Sequence, residues 1–208
     1  PGDILYIPPG CPHEGYAVEN ALNYSVGFRA PNQQDLLSSF ADHVIDTESG
    51  QKRYTDHNLV TRASKGELTN NEAEKVKHFI ASMLEDDGLF KQWLGKTLSQ
   101  PKHEMDLAPV EPAFTQDQIA NELAEPDTIF ERVGGTRAIY QQCENELLVS
   151  INGDNFTLPI GDIAAVKLLT DETEFNTNEL ANTQNSLVFV QMFTILVDEG
   201  IWFNANQE

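Results

Sequence analysis

Cysteine is almost absent: Cys11 and Cys143 are the only two in 208 residues, far apart and without a Cys-x-x-Cys partner. That excludes a disulfide framework, gives no sign of a zinc site, and points to reduced thiols in a cytoplasmic protein. Positive charge is also scarce. Thirteen Lys and Arg stand against 33 Asp and Glu, a formal net charge of −20. Such a balance disfavours a phosphate-seeking nucleic-acid surface and suits a basic partner, although acidity also serves solubility. Long apolar runs are missing: the stretch from Ser186 to Val197 is interrupted by polar residues and falls well short of a membrane span. No signal-peptide pattern opens the chain, and Pro1-Gly2-Asp3 has no initiator Met before it. A piece of a longer protein is the expectation. There is no internal repeat and no low-complexity tract.

What is present suffices for a packed core, at 40% hydrophobic and 22% charged residues. The pattern predicts an α+β protein in three parts. Residues 1–30 read as β, with an apolar run Ile4-Leu5-Tyr6-Ile7 closed by Pro8-Pro9-Gly10. From Leu22 to Phe28 the sequence alternates, placing Leu22, Tyr24, Val26 and Phe28 on one face and Asn23, Ser25 and Gly27 on the other. A small, polar face opposite a bulky apolar one suits a strand lining a ligand cavity, or a half-exposed strand. Residues 31–112 read as three amphipathic helices and a linker. The first follows Asn32 as N-cap, with Leu36, Leu37, Phe40, Ala41, Val44 and Ile45 at helical spacing. The second is announced by Thr69 with Glu72 three residues on, the capping-box pattern. The third carries Phe90, Trp93, Leu94 and Leu98 on one side. Lacking an obvious core of their own, these helices are expected to pack on a neighbour or on a second copy of the chain. Pro101 to Pro112, with no sustained period, is the linker.

Residues 113–208 have a different rhythm. A short helix (Thr115 to Ala124) precedes strand candidates Thr128 to Val133, Arg137 to Gln142 and Glu146 to Ile151, with turns at Gly134-Gly135 and Asn152-Gly153. Ile160 to Leu169, Thr177 to Thr183 and Leu187 to Glu199 read as helices, Gly200 as a cap, and Ile201-Trp202-Phe203 as a returning strand. This mixture fits a winged-helix-like module. It holds three Lys/Arg (Arg132, Arg137, Lys167) against sixteen Asp/Glu, so a protein-interaction or structural role is favoured over reading DNA.

The stretch PGDILYIPPGCPHEGYAVENALNYSVGFRA carries the chemistry. Its rigid Pro-Pro-Gly corner allows close backbone approach and sets His13 on a stiff frame. The spacing from Gly2 through Pro8 and Gly10 to His13 resembles the second conserved motif of the cupin superfamily, in which that His is a metal ligand. Ala17 stands where the motif ordinarily has Asn, a departure shared with JmjC-type members. More specifically, the run up to Asn32, the later FKQWLGKTLSQPKHEMDLAPVEP and the ending GIWF are similar to the bacterial JmjC-type (cupin-4) ribosomal oxygenases. That resemblance implies a JmjC barrel, a helical dimerisation region and a C-terminal winged helix. It also implies an iron(II)- and 2-oxoglutarate-dependent hydroxylase acting on an arginine of a large-subunit ribosomal protein, and a homodimer. Residue by residue it implies His13 as an iron ligand, with Asn23 and Ser25 as candidates to contact 2-oxoglutarate or to surround the metal.

Glu14 reads as a surface residue, because redox activation at iron needs no protein base, and Cys11 as a packing residue. The His-x-Asp/Glu pair that supplies the other two ligands in this family does not occur here: His43, His57, His78 and His103 are followed two residues on by Ile, Leu, Ile and Met. Those ligands, and the basic residue that holds the distal carboxylate of 2-oxoglutarate, are expected in a preceding segment. The strands of residues 1–30 are therefore expected to be disordered, re-paired or completed from outside. Two other readings of the same sequence are a metal-dependent cupin without 2-oxoglutarate and a non-enzymatic module for dimerisation and protein interaction.

Overall fold

The computed structural model describes residues 4–8, 10–22, 24–27, 30–57, 61, 64–180, 183 and 185–206. The first three helices start where side chains satisfy the orphan N–H groups of a helix N-terminus. In α1 (Gln33–Asp46) the Asn32 side chain accepts from Asp35 N at 2.9 Å, and the Asp35 carboxylate accepts from Asn32 N at 3.1 Å. Thr69 and Glu72 make the same reciprocal pair ahead of α2 (Asn70–Ala81). Asp86 caps α3 (Asp87–Ser99). Trp93 of α3 is buried edge-on against Phe40 of α1, with ring centroids 5.2 Å apart, and its indole N–H donates to Ser39 Oγ at 3.1 Å.

The rest of the chain builds two small antiparallel sheets around one apolar core. After α4 (Gln116–Ala124) come β1 (Ile129–Arg132), β2 (Ala138–Gln142), β3 (Glu146–Ile151) and β4 (Asp154–Pro159). A 3-10 turn leads into α5 (Ile163–Asp171), followed by β5 (Glu174–Asn176), α6 (Thr177–Leu180), α7 (Leu187–Asp198) and β6 (Trp202–Asn204). One sheet has the order β5-β1-β6 and the other β2-β3-β4. Phe130, Phe175, Phe189, Phe193 and Trp202 meet in stacked and edge-on pairs between the first sheet and α7. Burying these rings contributes about 1.5–3 kcal/mol each, with a further increment from edge-on geometry. Gly200 (φ 71°) closes α7 where a Cβ would meet the Ala108 carbonyl oxygen at 2.6 Å, so the linker lies directly across the helix end.

The central strand β3 is buried on both faces. Leu147, Val149 and Ile151 point into the aromatic core, while Leu148 and Ser150 face the opposite way. That second face receives α3. Gln141 Nε2 donates to Lys91 O at 3.0 Å, Asn155 Nδ2 to Gln92 O at 2.8 Å, Gly153 N to Ser99 Oγ at 3.1 Å and Arg137 Nη1 to Gln100 O at 3.1 Å. Gly95 makes this close docking possible, because a Cβ there would collide with Ser150 Oγ and lie 3.3 Å from Asn155 Oδ1. The third helix thus has a neighbour within the chain.

Two regions differ from what periodicity alone suggests. The strands read over residues 1–30 do not form among the described residues: 4–8, 22 and 24–27 lie outside any ladder, with Ile4, Tyr6, Tyr24 and Val26 exposed. A strand exists through the hydrogen bonds of its partner, and no described segment pairs with either run. Conversely, β4 and β5 were not foreseen. In Asp154–Pro159 only Phe156 and Leu158 are strongly apolar, so the strand owes its existence to the Asn152-Gly153 turn and pairing along all of β3. The three residues of β5 form because Phe175 is drawn into the core opposite Phe130.

Two predictions follow from the packing of α3. Gly95→Val will destabilise the protein by about 1–3 kcal/mol, the usual cost of overpacking, measured by urea denaturation. His43 of α1 is 8% exposed and its Nε2 has no partner among the described residues. Burial, and then the Lys96 ammonium on α3, lower its pKa from 6.5, against a smaller opposing influence of Asp46. The unfolded chain therefore takes up this proton first. The neutral ring's contribution is fully present above about pH 6.5 and is lost as pH falls toward the folded value. Between pH 7.5 and 5 the native protein will lose more stability than His43→Leu does, as read by denaturation at each pH.

Candidate functional site

The loop around His13 is organised locally. Gly10 takes a positive φ of 78°, and Cys11 N donates to Pro8 O at 3.3 Å, closing the corner foreseen from Pro-Pro-Gly. The His13 ring turns back on this corner, with Nδ1 3.2 Å from Cys11 O. If Nδ1 carries the proton it donates to that carbonyl, leaving Nε2 with its lone pair outward. The imidazole and the Cys11 thiol are both exposed. Three residues on, Glu14 accepts a hydrogen bond from the Tyr16 hydroxyl, which with slight desolvation holds the phenol above its ordinary value of 10.0. Glu14 is at the surface, as its sequence context implies.

Ser25 is exposed and lies in no strand, and Asn23 falls outside the described residues. The structure does not gather His13 and Ser25 into a lumen, because the sheet whose inner face would hold them is not formed. The donor set can be tested directly against iron. A non-haem iron(II) centre of this class needs two His and one carboxylate on one face. Among the described residues no three His, Cys, Asp or Glu come together to hold a metal. One exposed imidazole does not fit that requirement, so the described residues by themselves do not make the centre.

A second concavity was not foreseen. The linker, the β3–β4 turn and the end of α7 enclose an open cleft of about 580 Å³, with His103, Glu104, Asp154 and Glu199 on its walls. Burial, then the neighbouring Asp154 and Asp198 carboxylates, raise the Glu199 pKa. The sequence held no signal for it, because residues 104, 154 and 199 meet only through the fold.

Comparison with known proteins gives these features a setting. Residues 82–203, more than half of the chain, match the ROXA-like winged helix family, and residues 1–36 match the JmjC domain. The Escherichia coli protein named ribosomal protein uL16 3-hydroxylase is 38% identical over 203 residues, 98% of this chain and 52% of its own length. The solved structure of the E. coli ribosomal oxygenase YcfD with cobalt and succinic acid superposes with a TM-score of 0.79 at 33% identity, covering 91% of this chain and 51% of that one. Its complex with cobalt and 2-oxoglutarate gives 0.78 over the same shares. The chain thus spans about half the length of these relatives. The ROXA-like match begins at residue 82, so the unit it defines includes α3, in keeping with the docking of that helix on β2, β3 and β4. By these matches the chain belongs to the ROXA-like winged-helix family of JmjC-type ribosomal oxygenases.

Proposed function

We propose that this chain is part of an iron(II)- and 2-oxoglutarate-dependent hydroxylase of an arginine in a large-subunit ribosomal protein, working in the cytoplasm. The observation that carries this reading is His13 in a JmjC-matching segment, held by a Pro-Pro-Gly corner with one ring nitrogen on a backbone carbonyl and the other outward. That is how metal-bound histidines are commonly oriented: the second nitrogen is fixed by a carbonyl, which sets the tautomer of the first. In this reading His13 holds one iron position, and Asn23 and Ser25 face the 2-oxoglutarate side of the same cavity. The other donors belong to the part of the enzyme that these 208 residues do not span. Iron and 2-oxoglutarate supply the oxidising chemistry. The contribution of this chain is one ligand and the body that carries it.

The 208-residue chain supplied with iron will not turn over 2-oxoglutarate. In the full enzyme, His13→Ala will lower 2-oxoglutarate turnover by at least about 10–100-fold, the loss seen when even an outer partner of a metal ligand is removed. Its circular dichroism will be unchanged, since the side chain is exposed and touches only Cys11 O. Decarboxylation by the isolated chain, or full activity of the variant, would reject the ligand role.

We also infer a homodimer formed through residues 31–112, which with 1–30 and 113–208 make the three working parts. Leu68, Val76, Ile80 and Leu84 line an apolar groove along α2, with Ile80 62% exposed. On α1, Leu37 and Ile45 are exposed as well. A stripe of this kind on a capped helix is what a second copy would cover. Light scattering at micromolar concentration will give twice the single-chain mass, and Ile80→Asp will return it to one chain.

A further inference from the structure

The outer face of the β5-β1-β6 sheet carries an arrangement that neither the iron chemistry nor the dimer uses. Pairing puts Glu131 of β1 directly opposite Glu174 of β5 on one side and Phe203 of β6 on the other. Directly opposed residues of antiparallel strands project to the same face. The neighbouring register, Phe175, Phe130 and Asn204, points inward, with Phe130 and Phe175 fully buried. The outward row therefore reads carboxylate, carboxylate, aromatic ring. Glu174 is exposed, Glu131 half-buried, and Phe203 43% exposed.

Two like charges facing each other across a ladder oppose pairing, and a large exposed ring beside them gains nothing from water. Among the described residues neither carboxylate has a hydrogen bond or ion pair. The ion pairs Lys75–Asp56, Lys77–Glu74, His78–Glu74 and Lys91–Asp87 lie outside the winged-helix sheets. The surrounding segment cannot easily supply a counter-charge. From Ala113 onward there are three Lys/Arg. Of these, Arg132 is directed to the Leu169 carbonyl and the Trp202 ring, Arg137 to the Gln100 carbonyl, and Lys167 of α5 makes no ion pair with either glutamate among the described residues.

We propose that this sheet face is a docking surface for a basic polypeptide segment, with an arginine side chain laid between Glu131 and Glu174 and across Phe203. Charge complementarity selects that occupant. A guanidinium presents parallel N–H donors to carboxylates and a flat face to an aromatic ring, so one side chain satisfies all three residues of the row and relieves their repulsion. The surface is separate from His13 and does not depend on the ligand role assigned to it.

The test is a fluorescence-anisotropy titration of a fluorescein-labelled peptide of alternating arginine and serine with the 208-residue chain, compared with Glu131→Gln/Glu174→Gln. A control double variant, Glu125→Gln/Glu144→Gln, removes the same charge from other exposed positions. The sheet variant will bind at least about five-fold more weakly, as expected for loss of charge-assisted pairing, and the control within about two-fold of the native chain. Phe203→Ala will also weaken binding. Folding is not in question for the sheet variant, which removes a repulsion and will melt no lower than the native protein. Equal losses in the sheet and control variants would mean general attraction to an acidic chain and overturn the proposal. So would a change from dimer to monomer on Phe203→Ala, which would assign the face to a second copy.

Discussion

The docking of α3 on the β2-β3-β4 sheet is the contact on which the remaining architecture depends. It covers the face of β3 that would otherwise expose Leu148 and Ser150, and makes β3 a strand buried on both sides. Four hydrogen bonds along α3 and to the residue after it fix its position, and Gly95 lets backbone and sheet approach. Through Trp93 the same helix carries α1. The helical region and the winged helix are thereby joined through one packed layer. The β3–β4 turn, the natural wing, is occupied: Gly153 donates to Ser99, and Arg137 beside it to Gln100.

The chain divides its charge unevenly. Ion pairs such as Lys75–Asp56 and Lys91–Asp87 sit among α2, α3 and the arm before them. In the winged helix, by contrast, Arg132 and Arg137 are spent on carbonyls and an aromatic ring. Asp162 and Asp198 act as acceptors for the backbone: Ser186 N and Phe114 N donate to them at 2.9 and 2.7 Å. Carboxylates that serve as caps or anchors have a structural reason to be there. Those of Glu131 and Glu174, paired with each other across a ladder, do not.

Much of the fold was legible. Asn32 announced α1 as an N-cap and Thr69 announced α2 by the spacing of a capping box, because such signals act within four residues and need nothing distant. Gly200 announced the end of α7 for the same reason. The strand of Glu146–Ile151 was legible from its nearly continuous apolar run. The partially polar β4 and the three-residue β5 were not, since a strand of weak pattern is defined by what pairs with it. The candidate site was legible as chemistry and not as geometry. Spacing around Pro-Pro-Gly singled out His13, whereas the strands expected to carry it toward Asn23 and Ser25 depend on partners that no described segment supplies.

By itself, the sequence determined the local corners: which residues cap helices, where the backbone turns at Gly10 and Gly200, which imidazole stands on a rigid frame, and the family those motifs indicate. Tertiary structure alone decided that Gly95 is a contact point, that His43 is buried with no partner for Nε2 among the described residues, that Glu199 sits among other carboxylates, and that Glu131 faces Glu174 beside Phe203. The division has one physical cause. Capping and turn signals are satisfied by neighbours in the chain, whereas burial, register and like-charge proximity are properties of residues brought together from tens of positions apart.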